Sequence, residues 1–132
     1  MNIEVMEFSG EGMSRIYENK KWMVGIKNWK PANDINGIDF LERHNETDEL
    51  FVLLQGHCTL LYANENGQNL DIKTLKMEPF RVYSMPAGLW HNTVTRKDTK
   101  MVLIEDSSTG SQNSDVLSLN ADQIALVKKL AP

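Results

Sequence analysis

Between Trp22 and Asp106 the chain is a succession of short apolar-alternating segments parted by turn formers. No stretch there can carry the helices of about 10–15 residues that a βαβ layout requires. In the segment Trp22 to Trp29, Trp22, Val24 and Ile26 share one face, the two-residue period of a half-buried strand. Pro31, Asn33, Asp34, Asn36 and Gly37 then crowd a loop. Strand-like sequence resumes from Ile38 to His44 and, after the polar turn Asn45–Asp48, from Glu49 to Gly56. Cys58 to Ala63 and Leu70 to Met77 flank Asn66 and Gly67, the preferred pair for a type I′ hairpin turn. Phe80 to Met85, His91 to Thr95 and Met101 to Asp106 complete the series, with a turn at Pro86 and Gly88. At least seven strands at spacings of about 8–12 residues predict an all-β sandwich or barrel.

After the strands, residues 107–114 are small and polar and predict a linker, which places the barrel core at about 20–106. Asn120 is placed to cap a helix at about 120–130, with Gln123 reaching back and Ile124, Leu126, Val127 and Leu130 giving it an apolar surface. That surface is expected to pack on the barrel or on a partner chain. At 132 residues and 15.0 kDa the expectation is one domain over 1–132.

Composition excludes several classes. With 41% hydrophobic and 24% charged residues, the chain is neither disordered nor a membrane span, and no apolar run approaches roughly 18 residues. The opening MNIEVMEFSG lacks the apolar core of a secretory signal, so a cytoplasmic location is expected. Cys58, the sole cysteine, excludes an intramolecular disulfide and a cysteine-rich zinc site; it reads as an inert core thiol. A net charge of −4 with no basic run longer than two, at Lys20–Lys21 and Lys128–Lys129, excludes a nucleic-acid footprint.

The residues that suggest chemistry lie in the middle strands. Glu42 and His44, two apart on one strand, project from the same side. Four residues later Glu49 opens the next strand, where a tight antiparallel return sets it beside His44. His91 enters a new strand just after the Pro86–Gly88 turn. Two imidazoles and a carboxylate suit one divalent ion of zinc, iron, nickel or manganese and leave coordination positions open. The bland alternative has His44 capping a turn, Glu49 solvated and His91 packed in the core. Against it, an inward carboxylate requires a partner.

The segments around these residues resemble the two signature motifs of the cupin superfamily. The first family motif runs histidine, any, histidine, three or four residues, glutamate, six residues, glycine; His44, Glu49 and Gly56 match it. The second runs proline, any, glycine, two residues, histidine, three residues, asparagine; Pro86, Gly88 and His91 match it. Two positions depart, Glu42 for the first histidine and Thr95 for the asparagine. The resemblance implies a small jelly-roll β-barrel with a metal pocket formed by His44, Glu49 and His91. Glu42 then either completes the ligand set, acts as a general base, or pairs with Arg43, Arg81 or Arg96. Cupins include metal-dependent dioxygenases, isomerases, epimerases and lyases as well as metal-free members, so the resemblance selects no reaction.

Phe51, Tyr83 and Trp90 flank the motifs as candidates for lining a substrate pocket, Phe51 foremost because it shares the face of Glu49; ordinary core packing is the alternative. His57 reads as surface. Three functions fit: a metal-dependent enzyme on a small polar metabolite, a non-catalytic domain that binds a small molecule with or without metal, and a structural dimer with a vestigial pocket. The open edges of such a barrel predict a homodimer.

Overall fold

A computed structural model describes residues 1–66 and 69–132, so the expected Asn66–Gly67 turn lies outside the described residues. The described chain forms strands β1 (Met13–Glu18), β2 (Trp22–Asn28), β3 (Phe40–His44), β4 (Glu49–Gln55) and β5 (Cys58–Asn66). These are followed by β6 (Asn69–Lys76), β7 (Tyr83–Met85), β8 (Trp90–Thr95), β9 (Lys100–Asp106), β10 (Ser114–Ser118) and a helix, α1 (Ala121–Leu130). Two five-stranded sheets result, in the orders β1-β2-β9-β4-β7 and β10-β3-β8-β5-β6. Every strand pairing is antiparallel. The architecture is the all-β barrel that the strand pattern predicts, in the jelly-roll form that the resemblance implies, with the short C-terminal helix expected after Asn120.

Three differences from the sequence-based expectation bear on the site. β1 and β10 were not expected as strands. Both are edge strands with mixed burial, and Met13, Tyr17 and Val116 remain exposed, so neither carries a clean alternation. The strand expected from Phe80 is confined to Tyr83–Met85, because Phe80 adopts φ +71°, which no extended strand allows. In β2, the face turned to the interior is that of Met23, Gly25 and Lys27, whose cross-strand partners on β9 are Glu105, Leu103 and Met101. On the face of Trp22, Val24 and Ile26, Trp22 is exposed while Ile26 is covered by the N-terminal segment around Met6 and Phe8.

The core divides at the second sheet. Met23, Phe51, Leu53, Cys58, Leu60, Met85, Met101 and Leu103 pack between the sheets. Leu41, Leu61, Ala63, Trp90 and Val94 pack on the sheet's other face, beneath Leu119, Val127 and Ala131. α1 begins as expected: Asn120 Oδ1 accepts from the Gln123 N–H at 2.8 Å, and Gln123 Oε1 accepts from the Asn120 N–H at 2.9 Å. Its Val127 is fully buried, whereas Leu126 and Leu130 stay partly exposed. Covered on both faces, all six residues of β8 are buried. No helix among the described residues is long and apolar enough to cross a membrane.

Candidate metal centre

Two turns carry the site residues to one place. The Pro86–Leu89 turn, closed by the Leu89 N–H on the Pro86 carbonyl at 3.1 Å, holds Gly88 at φ +85°, where a side chain is disfavoured. This turn is bonded to the first motif: the Gly88 N–H donates to the His44 carbonyl at 2.7 Å, and the Ala87 N–H to Asp48 Oδ1 at 2.8 Å. His91 therefore enters β8 in fixed relation to His44. Across the strands, Glu42 is opposite His91, while Glu49 on β4 is opposite Glu105 on β9. The first sheet supplies Glu49 and Glu105, the second Glu42, His44 and His91.

One donor atom from each of Glu42, His44, Glu49 and His91 lies within 4.8 Å of the others. Glu49 Oε1 is 2.9 Å from His91 Nε2 and 3.4 Å from His44 Nε2; the latter lies 4.0 Å from Glu42 Oε1. Glu49 and His91 are deeply buried and Glu42 is half-exposed. Among the described residues, none of Arg43, Arg81 and Arg96 forms an ion pair with Glu42. Arg43 pairs with Asp115 and Glu65, Arg81 pairs with Glu78, and Arg96 donates to the Pro132 carbonyl.

The tautomers suit a cation. His91 Nδ1 is 2.9 Å from the Leu89 carbonyl, which only accepts, so Nδ1 carries a proton. Nε2 then faces the Glu49 carboxylate either as a second N–H or as a lone pair that needs a positive charge between the two acceptors. His44 Nδ1 is held by Ser114 Oγ at 2.8 Å, and its buried Nε2 is left without a hydrogen-bond partner among the described residues. An imidazole anchored through one nitrogen with the other turned to a carboxylate is the arrangement metal-ligating histidines adopt.

Glu105 and Lys27 were not anticipated. Glu105 is buried with Oε1 at 3.7 Å from His44 Nε2. Burial and its hydrogen bond with Glu49 push its carboxyl up to about 9. Burial also pushes Glu49 up, but the His44 and His91 imidazoles and the Glu105 carboxyl beside it outweigh that and hold it well below the usual range. The Glu49 carboxylate raises His44, against its burial. Glu105 had a sequence signal: it follows Met101 and Leu103 at a period of two, on the inward face of β9. Lys27 sits at the same period after Met23 and Gly25; burial lowers its ammonium against the pull of Glu49 and Glu42.

The cluster opens on a cavity of about 510 Å³ lined by Lys27, Lys30, Arg15, Thr109, Ser111 and Ser114 as well as Glu42, His44, Glu49 and Glu105. Phe51, Tyr83 and Trp90 are not among its lining residues. Phe51 is buried behind the site, its ring 6.4 Å from that of His91. The Tyr83 hydroxyl accepts from the Glu78 N–H, and Trp90 lies on the α1 side, donating to Glu65 beneath the Arg43 guanidinium. Cys58 is buried and its thiol is pushed up to about 12 by burial, an inert core thiol.

No sequence-family profile matches the chain, and no curated protein matches it. Solved structures do. A cupin-2 domain protein from Shewanella frigidimarina superposes with a TM-score of 0.54 at 17% identity over 75% of this chain and 84% of that one. KdgF from Halomonas sp. gives 0.55 at 12% identity over 83% and 91%. A variant of Streptomyces PAC13 crystallised with uridine gives 0.60 at 8% identity over 92% and 96%. The fold is that of the cupin superfamily.

Proposed function

We propose that the chain acts as one cupin domain that holds one divalent metal ion on His44, Glu49 and His91, with Glu42 as fourth ligand, and uses it to engage a small polar molecule. The observation that carries this reading is the buried His44 Nε2, which makes no hydrogen bond among the described residues and lies 3.4 Å from the Glu49 carboxylate in a four-donor cluster, with Ser114 holding the ring from behind. When bound, the ion would supply Lewis acidity to a ligand oxygen. The chain would orient the imidazoles through Ser114 and the Leu89 carbonyl and keep bulk water from Glu49 and His91. The donor set suits zinc, iron, nickel or manganese. The cupin with uridine supports small-molecule binding in this fold.

The test is elemental analysis of untagged protein together with metal titration. Wild type should bind one ion per chain and His91→Ala none, while Ser114→Ala should bind about 10-fold or more weakly through the loosened His44 ring. Absence of metal in wild type, with no thermal stabilisation on titration, rejects the reading. An enzyme converts the small molecule it binds; recovery of every stabilising ligand unchanged would favour a non-catalytic binding domain.

We also infer a homodimer. Phe80 is fully exposed at φ +71°, a strained backbone with nothing covering its ring, and Val82 beside it is 66% exposed. Light scattering should give twice 15.0 kDa; a monomer would reject it. A lone buried thiol fits a cytoplasmic setting, which fractionation would check.

A further inference from the structure

We propose that the cavity receives a small organic acid whose oxyanion head lies against Lys27, flanked by Lys30, while its other oxygens reach the Glu42–His44–Glu49–His91 cluster. The contact with the cluster rests on the metal reading; the contact with Lys27 does not.

Lys27 is an unusual residue for its place. It occupies the inward row of β2 after Met23 and Gly25, opposite Met13 on β1 and Met101 on β9, with Leu103 beside it in the cavity wall. A partly buried ammonium among methionine and leucine side chains is unfavourable unless an anion meets it. Among the described residues Lys27 forms no hydrogen bond and no ion pair within 4.0 Å. The carboxylates that attract it, Glu49 and Glu42, are turned to the histidines. Lys30 lines the same cavity, is likewise without an ion pair among the described residues, and its charge opposes that of Lys27.

Arg15, the third cation in the wall, is already engaged. Its guanidinium bonds Glu18 and donates to the Thr109 carbonyl at 2.6 Å and the Ser107 carbonyl at 3.3 Å, which holds the loop after β9 at the cavity's edge. Gly25 lets Met13 and Leu103, both in the cavity wall, close over β2. A Cβ there would sit 3.0 Å from Met13 Sδ and 3.1 Å from Leu103 Cδ1. The cavity lining therefore combines two ammonium groups without an ion pair among the described residues with the carboxylates and His44 of the cluster. Such a lining suits a molecule bearing an anionic end and an oxygen-donor end.

Glycerol, glycerate and glycerol phosphate form a matched probe set, differing in whether they carry an anionic head and in which one. Calorimetric titration of each into the full chain, with metal content measured on the same batch, tests the proposal. At least one of the two anions should bind about tenfold or more tightly than glycerol, and the tighter of them identifies the head group. Lys27→Met should bring that anion to within about twofold of glycerol, whereas Lys27→Arg, which keeps the charge, should retain most of the preference. If Lys27→Met fails to fold, Lys30→Met should still reduce the preference by a smaller factor. Anions binding no better than glycerol, including no binding of any probe, overturn the proposal, as does an undiminished preference in the folded Lys27→Met protein. Anion preference in protein that takes up no metal would reject the metal reading and leave this one standing; metal uptake without anion preference would do the reverse.

Discussion

Glu49 and Glu105 face each other across β4 and β9 in a site already holding Glu42, and they do not both ionise: Glu105 keeps its proton while the histidines stabilise the Glu49 carboxylate. Glu105, raised from 4.5 to about 9, contributes stability that is complete below 4.5 and lost as pH rises toward 9. His44, raised from 6.5, acts in the same sense, present below its ordinary value and lost as pH rises through the raised one. Glu49, lowered, contributes above 4.5 and loses its contribution in acid. Metal-free protein should therefore melt highest near pH 5 and progressively lower toward pH 9. Glu105→Gln, an uncharged mimic of the protonated acid, should flatten that decline by less than the ~1.4 kcal/mol per pH unit of a single proton. Melting curves in chelator at several pH values check this, and an unchanged slope in Glu105→Gln would contradict it. The sequence made His44, Glu49 and His91 legible because motif spacing acts through local turns. It hid Lys27, because β2 carries apolar residues on both faces and nothing local says which turns inward.

At the level of elements, the turns constrain the fold as tightly as the strands do. Gly56, which closes the first motif, sits at φ +76°, and a Cβ there would come within 2.5 Å of the Asp98 carbonyl oxygen. Both backbone strain and collision with main chain oppose any side chain. Gly56→Ala should cost about 1–3 kcal/mol, read as a lower denaturant midpoint at unchanged slope, with the metal donors themselves untouched. Gly88→Ala meets open space and only the φ cost, so it should be milder. Strong turn formers and buried strands were legible for this reason: their chemistry is local. β1 and β10 were not, because an edge strand is defined by the neighbour it pairs with. β10 gains its extended form from β3, register Ser114 opposite His44, and not from SDVLS itself.

At the scale of the molecule, the order β10-β3-β8-β5-β6 places the donors of the second sheet on unequal ground. The α1 cover explains why β8 reads as six consecutive buried residues where a one-sided sheet would alternate, and the apolar face of that helix was the only hint of it in the sequence. Sealed on both faces and paired on both edges, β8 has no local route to solvent. Its amide protons should exchange only when the whole domain unfolds, whereas those of β10, at the sheet edge, should exchange far sooner. Hydrogen exchange followed by mass spectrometry distinguishes the two, and equal rates would refute the expectation. His91 is then the immobile half of the centre, and His44 and Glu42, one strand in from a fraying border, are the half that can part. Ion release to a chelator should accordingly outpace exchange of the β8 amides, because a β-barrel closed at its middle can still unlatch at its rim.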